Sequence, residues 1–144
     1  IQIKLYTTIG VGYMLKFTRK TEYALMAIKY MQTKPVHSIT TAKEISEAIN
    51  IPFQNLSKTL QYLAKLQLIK PIYGPNGGYK IKKRLMNFNL WDFLEKMEGP
   101  IGLADCLLNL NCNQLETCNI KAPVSIMHEK MKTIFSEMTV GDVL

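Results

Sequence analysis

The sequence predicts a mainly α fold with one small β-hairpin standing out as a wing and a long C-terminal helix suited to dimerisation. Three observations lead there. Apolar residues recur at helical spacing through most of the chain, a Gly-rich turn at 74–78 separates two short β-prone runs, and a methionine-rich stripe lies near the C-terminal end. A chain of 144 residues can bury one core with an appendage, not two full domains. Its composition, 47% hydrophobic and 20% charged, is that of an ordinary globular protein.

Residues 1–13 are mildly apolar, carry Lys4 and lack a small-residue cleavage pattern, so they read as an upstream leader or expression remnant rather than a signal peptide. The patterned chain opens at Met14. Lys16 to Thr33 has Ala24, Ile28 and Met31 at helical spacing and ends at Lys34-Pro35, which predicts a first helix. Thr41-Ala-Lys-Glu44 reads as a capping box, with the threonine hydroxyl accepting from the Glu44 amide and the carboxylate returning to the threonine amide. A second helix over Ala42 to Ile49 follows. Pro52 then suits the first position of a third helix. There Phe53, Leu56, Leu60 and Leu63 share one buried stripe, while Gln54, Asn55, Ser57, Lys58, Gln61, Tyr62 and Lys65 face outward. Two short helices joined by a tight turn, the second polar and basic outside, form a helix-turn-helix pattern.

Leu68 to Tyr73 and Tyr79 to Lys83 are β-prone and flank Gly74-Pro-Asn-Gly-Gly78, which supplies the positive φ angles of a hairpin. The second strand runs into Lys80, Lys82, Lys83 and Arg84, residues suited to phosphates. A winged helix-turn-helix domain over 14–84 results. The remainder, 85–144, begins with a short helix carrying Leu90, Phe93, Leu94 and Met97 and stopped by Gly99-Pro100. An irregular stretch from Ile101 to Ala122 holds every cysteine. Pro123 opens a final helix, and Met127, Met131, Ile134 and Met138, spaced four, three and four apart, are the candidate dimer seam. His128 is expected at the surface or in that seam, and His37 at the surface.

Charge separates the same two regions. From Met14 to Arg84 thirteen Lys or Arg face three Glu, whereas from Leu85 to Leu144 four Lys face eight acids. The basic half is therefore expected to meet a polyanion. No run approaches the roughly 20 apolar residues of a membrane span, so a cytoplasmic chain is expected. No nucleophile-base pair, phosphate-cradling loop or paired catalytic carboxylates stand out, which argues against an enzyme.

Cys106, Cys112 and Cys118 stand at equal intervals of six with no other cysteine. An odd count without a secretory signal favours metal-ligating or redox thiols over a disulfide framework. The spacing is not that of zinc fingers. Soft thiolates on a loop suit an iron-sulfur cluster. Zinc, reversible thiol oxidation and thiols of no special use remain alternatives on spacing alone.

The order of these parts resembles the Rrf-two family of bacterial transcription regulators over Leu15 to Leu144. The resemblance rests on Thr21-Glu-Tyr-Ala-Leu25, Leu56-Ser-Lys58 with Leu60 and Leu63, and Gly74-Pro-Asn-Gly-Gly-Tyr79. Glu98-Gly-Pro100, the three cysteines and Met138-Thr-Val-Gly-Asp-Val-Leu144 complete it. It implies a homodimeric, double-stranded DNA-binding regulator with a near-palindromic operator. It also implies a 2Fe-2S or 4Fe-4S cluster on Cys106, Cys112 and Cys118 that senses nitric oxide, redox or iron status. IscR-like members place a histidine three residues beyond the last cysteine, where this chain has Lys121. NsrR-like members use an acidic residue of the partner's first helix, and Glu22 stands at the matching position. Gln54, Asn55, Ser57, Lys58 and Gln61 are expected at base edges, with Lys80, Lys82 and Lys83 on phosphates. Tyr73, where many relatives carry arginine, and Gly77 are expected to meet DNA from the wing turn.

Overall fold

Helix α1 (Arg19–Gln32) buries Thr21, Ala24, Ala27, Ile28 and Met31 on one face. Two of these are alanines with no exposed surface, so neighbouring elements can pack close to its backbone. Helices α2 (Ala42–Ile49), α3 (Phe53–Lys65) and α4 (Leu90–Glu98), and strand β2 of the hairpin, all pack on α1. The computed structural model describes residues 16–108 and 111–144; the leader at 1–13 lies outside the described residues.

The tight turn between α2 and α3 follows from Asn50, which sits in the left-handed region at φ 53° and ψ 47°. Asparagine tolerates that region better than most residues. Ser46 Oγ donates to the Ile51 carbonyl at 2.7 Å, Ile51 is buried, and α3 starts one residue later than the sequence suggests, with Pro52 as its N-cap. Leu56, Leu60 and Leu63 are fully buried as expected. Phe53 departs from that stripe and is 53% exposed. It occupies the first turn, before α3 reaches the elements that cover its other apolar residues.

Strands β1 (Ile69–Ile72) and β2 (Gly78–Ile81) pair antiparallel, Ile69 opposite Ile81 and Lys70 opposite Lys80. They are shorter than the predicted runs. Lys82 follows the strand, and Lys83 opens a short 3-10 turn through Leu85. A backbone bridge between Thr40 and Tyr79 ties β2 to the segment before α2.

After α4, a 3-10 turn at Asp105–Leu108 precedes α5 (Lys121–Ser136), which begins two residues before Pro123. Trp91 of α4 packs edge-on against His128 (centroids 5.8 Å apart) and stacks on Phe135 at 6.5 Å. His128 is therefore neither at the surface nor in a seam: it is 9% exposed, and its Nδ1 has no hydrogen-bond partner among the described residues. The expected Met127, Met131, Ile134 and Met138 stripe divides, Met131 and Met138 turning inward while Met127 and Ile134 are more than half exposed. Aromatic contacts of Trp91 with His128 and Phe135 turn those two residues of α5 toward α4. The short α6 (Val140–Val143) closes the chain. Its Thr139–Asp142 capping box and backbone bonds from Val140 and Gly141 to Phe88 and Met86 clasp it to the turn leading into α4.

Only half of the capping box at α2 forms. Thr41 Oγ1 accepts from the Glu44 amide at 3.1 Å, but the carboxylate turns chiefly to Lys34 Nζ at 2.6 Å and the Tyr30 hydroxyl at 3.1 Å. Lys34 holds the Glu44 carboxyl below its ordinary range. A carboxyl whose pKa is depressed on folding stabilises fully above the unfolded value of about 4.3 and loses that contribution as pH falls through the lower folded value. Glu44→Gln is therefore expected to be less stable than wild type at neutral pH, with the difference shrinking as pH falls below about 4. Urea melts of both proteins across that range check it.

Candidate nucleic-acid interface and thiol segment

Burial of one α3 face leaves the other to solvent. Gln54, Asn55, Lys58 and Gln61 are exposed and Ser57 is half-buried. Gln54, Lys58, Gln61 and Lys65 form its outermost stripe by helical spacing. Thr59 is turned inward and donates to the Asn55 carbonyl at 3.0 Å. The stripe offers amides and ammonium groups that can read base edges in a major groove.

In the hairpin, Ile69 is fully buried and Tyr79 and Ile81 pack on the core. Strand alternation therefore sends Lys70 and Lys80 together to the other face, directly opposite one another. Like charges at such a pair are unfavourable unless an anion lies between them. Sequence reading included Lys80 and missed Lys70, because the pairing partner depends on register. Lys82 is half-buried and Lys83 exposed, whereas the Arg84 guanidinium donates to the Gln67 carbonyl at 2.9 Å and so serves the fold.

The hairpin turn projects Tyr73, 88% exposed. Gly77 donates its amide to the Gly74 carbonyl at 3.0 Å, and a Cβ on Gly77 would collide with the Ile72 carbonyl oxygen. Only glycine fits that approach without moving backbone.

Cys106 lies in the 3-10 turn, Cys112 in the following loop and Cys118 just before α5; all three are free thiols and partly buried. As donors they fit a soft metal centre. Residues 109 and 110, between the first two, lie outside the described residues. Among the described residues no three His, Cys, Asp or Glu side chains gather as a metal site. Glu22, on α1, instead takes Arg19 Nη1 at 2.8 Å.

Similarity to known proteins bears on this arrangement. Residues 17–144 match the model of the Rrf2 family, described as iron-dependent transcriptional regulators. The HTH-type transcriptional regulator NsrR of Shouchella clausii is 25% identical over 135 residues, covering 90% of this chain and 89% of that protein. The fold is shared with CymR, the global cysteine regulator of B. subtilis, at TM-score 0.70 and 23% identity over 90% of this chain and 96% of that one. It is shared also with T. potens IscR at TM-score 0.59 and 20% identity, over 90% and 85% of the two chains.

Gly77→Ala is expected to destabilise the protein by about 1–3 kcal/mol through overpacking of the turn. Duplex affinity should fall with it. Thermal melts and a binding titration check the pair of effects; an unchanged melt and unchanged affinity would contradict the close approach described.

Proposed function

The chain belongs to the Rrf2 family of iron-dependent transcriptional regulators, and from that premise we propose a homodimer that reads a near-palindromic operator and takes its signal at Cys106, Cys112 and Cys118. DNA binding comes with the family, whose members regulate transcription and are not enzymes. The observation that carries the reading is the exposed stripe of Gln54, Lys58 and Gln61 on α3, set just after a left-handed turn and beside a lysine-bearing hairpin. Such a helix enters the major groove while the wing meets backbone. Asn55 and Ser57 complete the base-reading set. Lys80, Lys82, Lys83 and, from the register, Lys70 hold phosphates; Tyr73 and Gly77 approach DNA from the wing turn.

A second copy fits the outward face of α5, where Ile126, Met127 and Ile134 are each more than half exposed. Two-fold pairing there would present two α3 helices to successive grooves, which is why the operator is read as near-palindromic. Among the described residues no helix is long and apolar enough to cross a membrane.

The three thiols are the proposed ligands of a 2Fe-2S or 4Fe-4S cluster. When bound, such a cluster supplies chemistry that nitric oxide, oxygen or iron shortage disrupts. The cysteines must be thiolates to serve, and their segment must draw together to do so. Glu22 is the proposed fourth donor, from the partner's α1, and would have to leave Arg19. That donor, and Lys121 in place of a histidine, favour nitric oxide as the signal. Reversible thiol oxidation without metal is the second reading, favoured by the free, ungathered cysteines among the described residues. Zinc on the same thiols is a third.

Anaerobic purification is expected to give a brown protein with iron and acid-labile sulfide. A colourless protein that stays so after reconstitution rejects the cluster, and stoichiometric zinc in it supports the third reading. Glu22→Ala should leave apo-protein binding to duplex unchanged while shortening the lifetime of the brown chromophore in air. An unaltered lifetime removes Glu22 from the ligand set.

A further inference from the structure

Neither the base-reading stripe nor the wing accounts for the trough between α1 and α3. It encloses about 520 Å³ and is lined by Arg19, Lys20, Tyr23, Asn55, Lys58 and Tyr62 among others. Asn55, Lys58, Thr59 and Tyr62 follow one another at helical spacing, so they form the flank of α3 turned toward α1. Lys58 belongs both to this flank and to the outermost stripe. The trough therefore runs alongside the surface proposed to enter the major groove.

Its electrostatics favour an anion. Three cations line it, and Glu22, the carboxylate paired with one of them, neutralises Arg19 at 2.8 Å. Lys20 and Lys58 have no ion pair among the described residues. The Lys20 ammonium instead stands 4.1 Å from the centre of the Tyr62 ring. That ring is itself held, since the Tyr62 hydroxyl donates to the Lys96 carbonyl at 2.9 Å. A cation seated on a fixed aromatic face loses less side-chain freedom when it meets a ligand than a free lysine does.

We propose that this trough seats the phosphodiester backbone of one DNA strand bordering the groove that α3 enters, with Lys20 as its principal contact. The proposal rests on the DNA-reading orientation of α3 given above. Because phosphates look alike in every sequence, Lys20 would add affinity without selectivity. A major groove bordered by two backbones can be gripped at its edge by such a trough while Gln54 and Gln61 reach its floor.

The test is fluorescence anisotropy with a labelled duplex pool of random sequence, titrated at several salt concentrations with the full chain. Lys20→Gln is expected to flatten the plot of log affinity against log salt by about 0.9 units, the share of one phosphate contact. The wild-type advantage over the variant should then fall about 3.5-fold between about 50 and 200 mM salt. Lys20→Arg should restore the slope, and Tyr62→Phe, which keeps the ring but frees it from the Lys96 carbonyl, should keep the wild-type slope at somewhat lower affinity. Unaltered circular dichroism and melting of Lys20→Gln separate this from misfolding. Wild-type binding with an unchanged slope in Lys20→Gln overturns the trough alone. A wild-type chain that binds no duplex overturns both this proposal and the reading on which it rests.

Discussion

Burial of a single face of α1 is the constraint on which the rest of the structure depends. Thr21, Ala24, Ala27, Ile28 and Met31 make that helix the surface on which α2, α3, α4 and β2 are assembled. Its ends are tied as well. At the C-terminal end Lys34 and Tyr30 take the Glu44 carboxylate of α2. At the N-terminal end Thr18 donates both its amide and its hydroxyl to Glu98, the last residue of α4. The thiol segment follows α4 almost at once, after Gly99 and Pro100. One helix thus touches the element proposed to read DNA and the junction from which the cysteines emerge. Contact of this kind is a physical route; it becomes regulation only where two arrangements exist and the signal favours one of them.

Most of the fold was legible because its elements are specified locally. The threonine cap at α2, the proline that opens α3, the α3 leucines and the glycine turn each carry their own stereochemical reason. What could not be read depended on partners distant in sequence. Phe53 fits the leucine stripe by spacing, yet more than half of it is exposed. The methionine stripe satisfied the helical repeat but ignored Trp91, whose contacts with His128 and Phe135 decide which way α5 turns. Lys70 became part of the candidate interface only once register set it against Lys80. The Glu44 carboxylate was expected at its own helix terminus and went to Lys34 instead, since an ammonium is a stronger partner than a neutral amide.

The cysteines divide legibility differently. Their number and isolation speak to chemistry, because three thiols in one irregular stretch are of little use to a core. Their geometry lies beyond spacing. Intervals of six residues on a loop are compatible with many separations, and no helix or strand imposes one. Ligand segments of this kind are commonly drawn together by the bound group, so that binding energy and local folding energy are the same quantity. An ungathered arrangement and a ligating role therefore do not conflict.

Charge placement makes the final step. Two lysines facing one another across a hairpin, and a trough lined by cations of which Glu22 pairs only one, both oppose the stability of the isolated protein. A surface of that kind gains most when a polyanion supplies the missing charge. Phosphates are the same at every base pair, so lysines that met them would set affinity and register but not sequence. Under the proposed reading, selectivity would fall on the few exposed groups placed to reach base edges: the amides of Gln54, Asn55 and Gln61, the Lys58 ammonium, and the Tyr73 ring at the wing turn. Because these sit on a helix whose opposite face is fully buried against α1 and its neighbours, their setting relative to the groove is fixed by the core rather than by their own side-chain contacts.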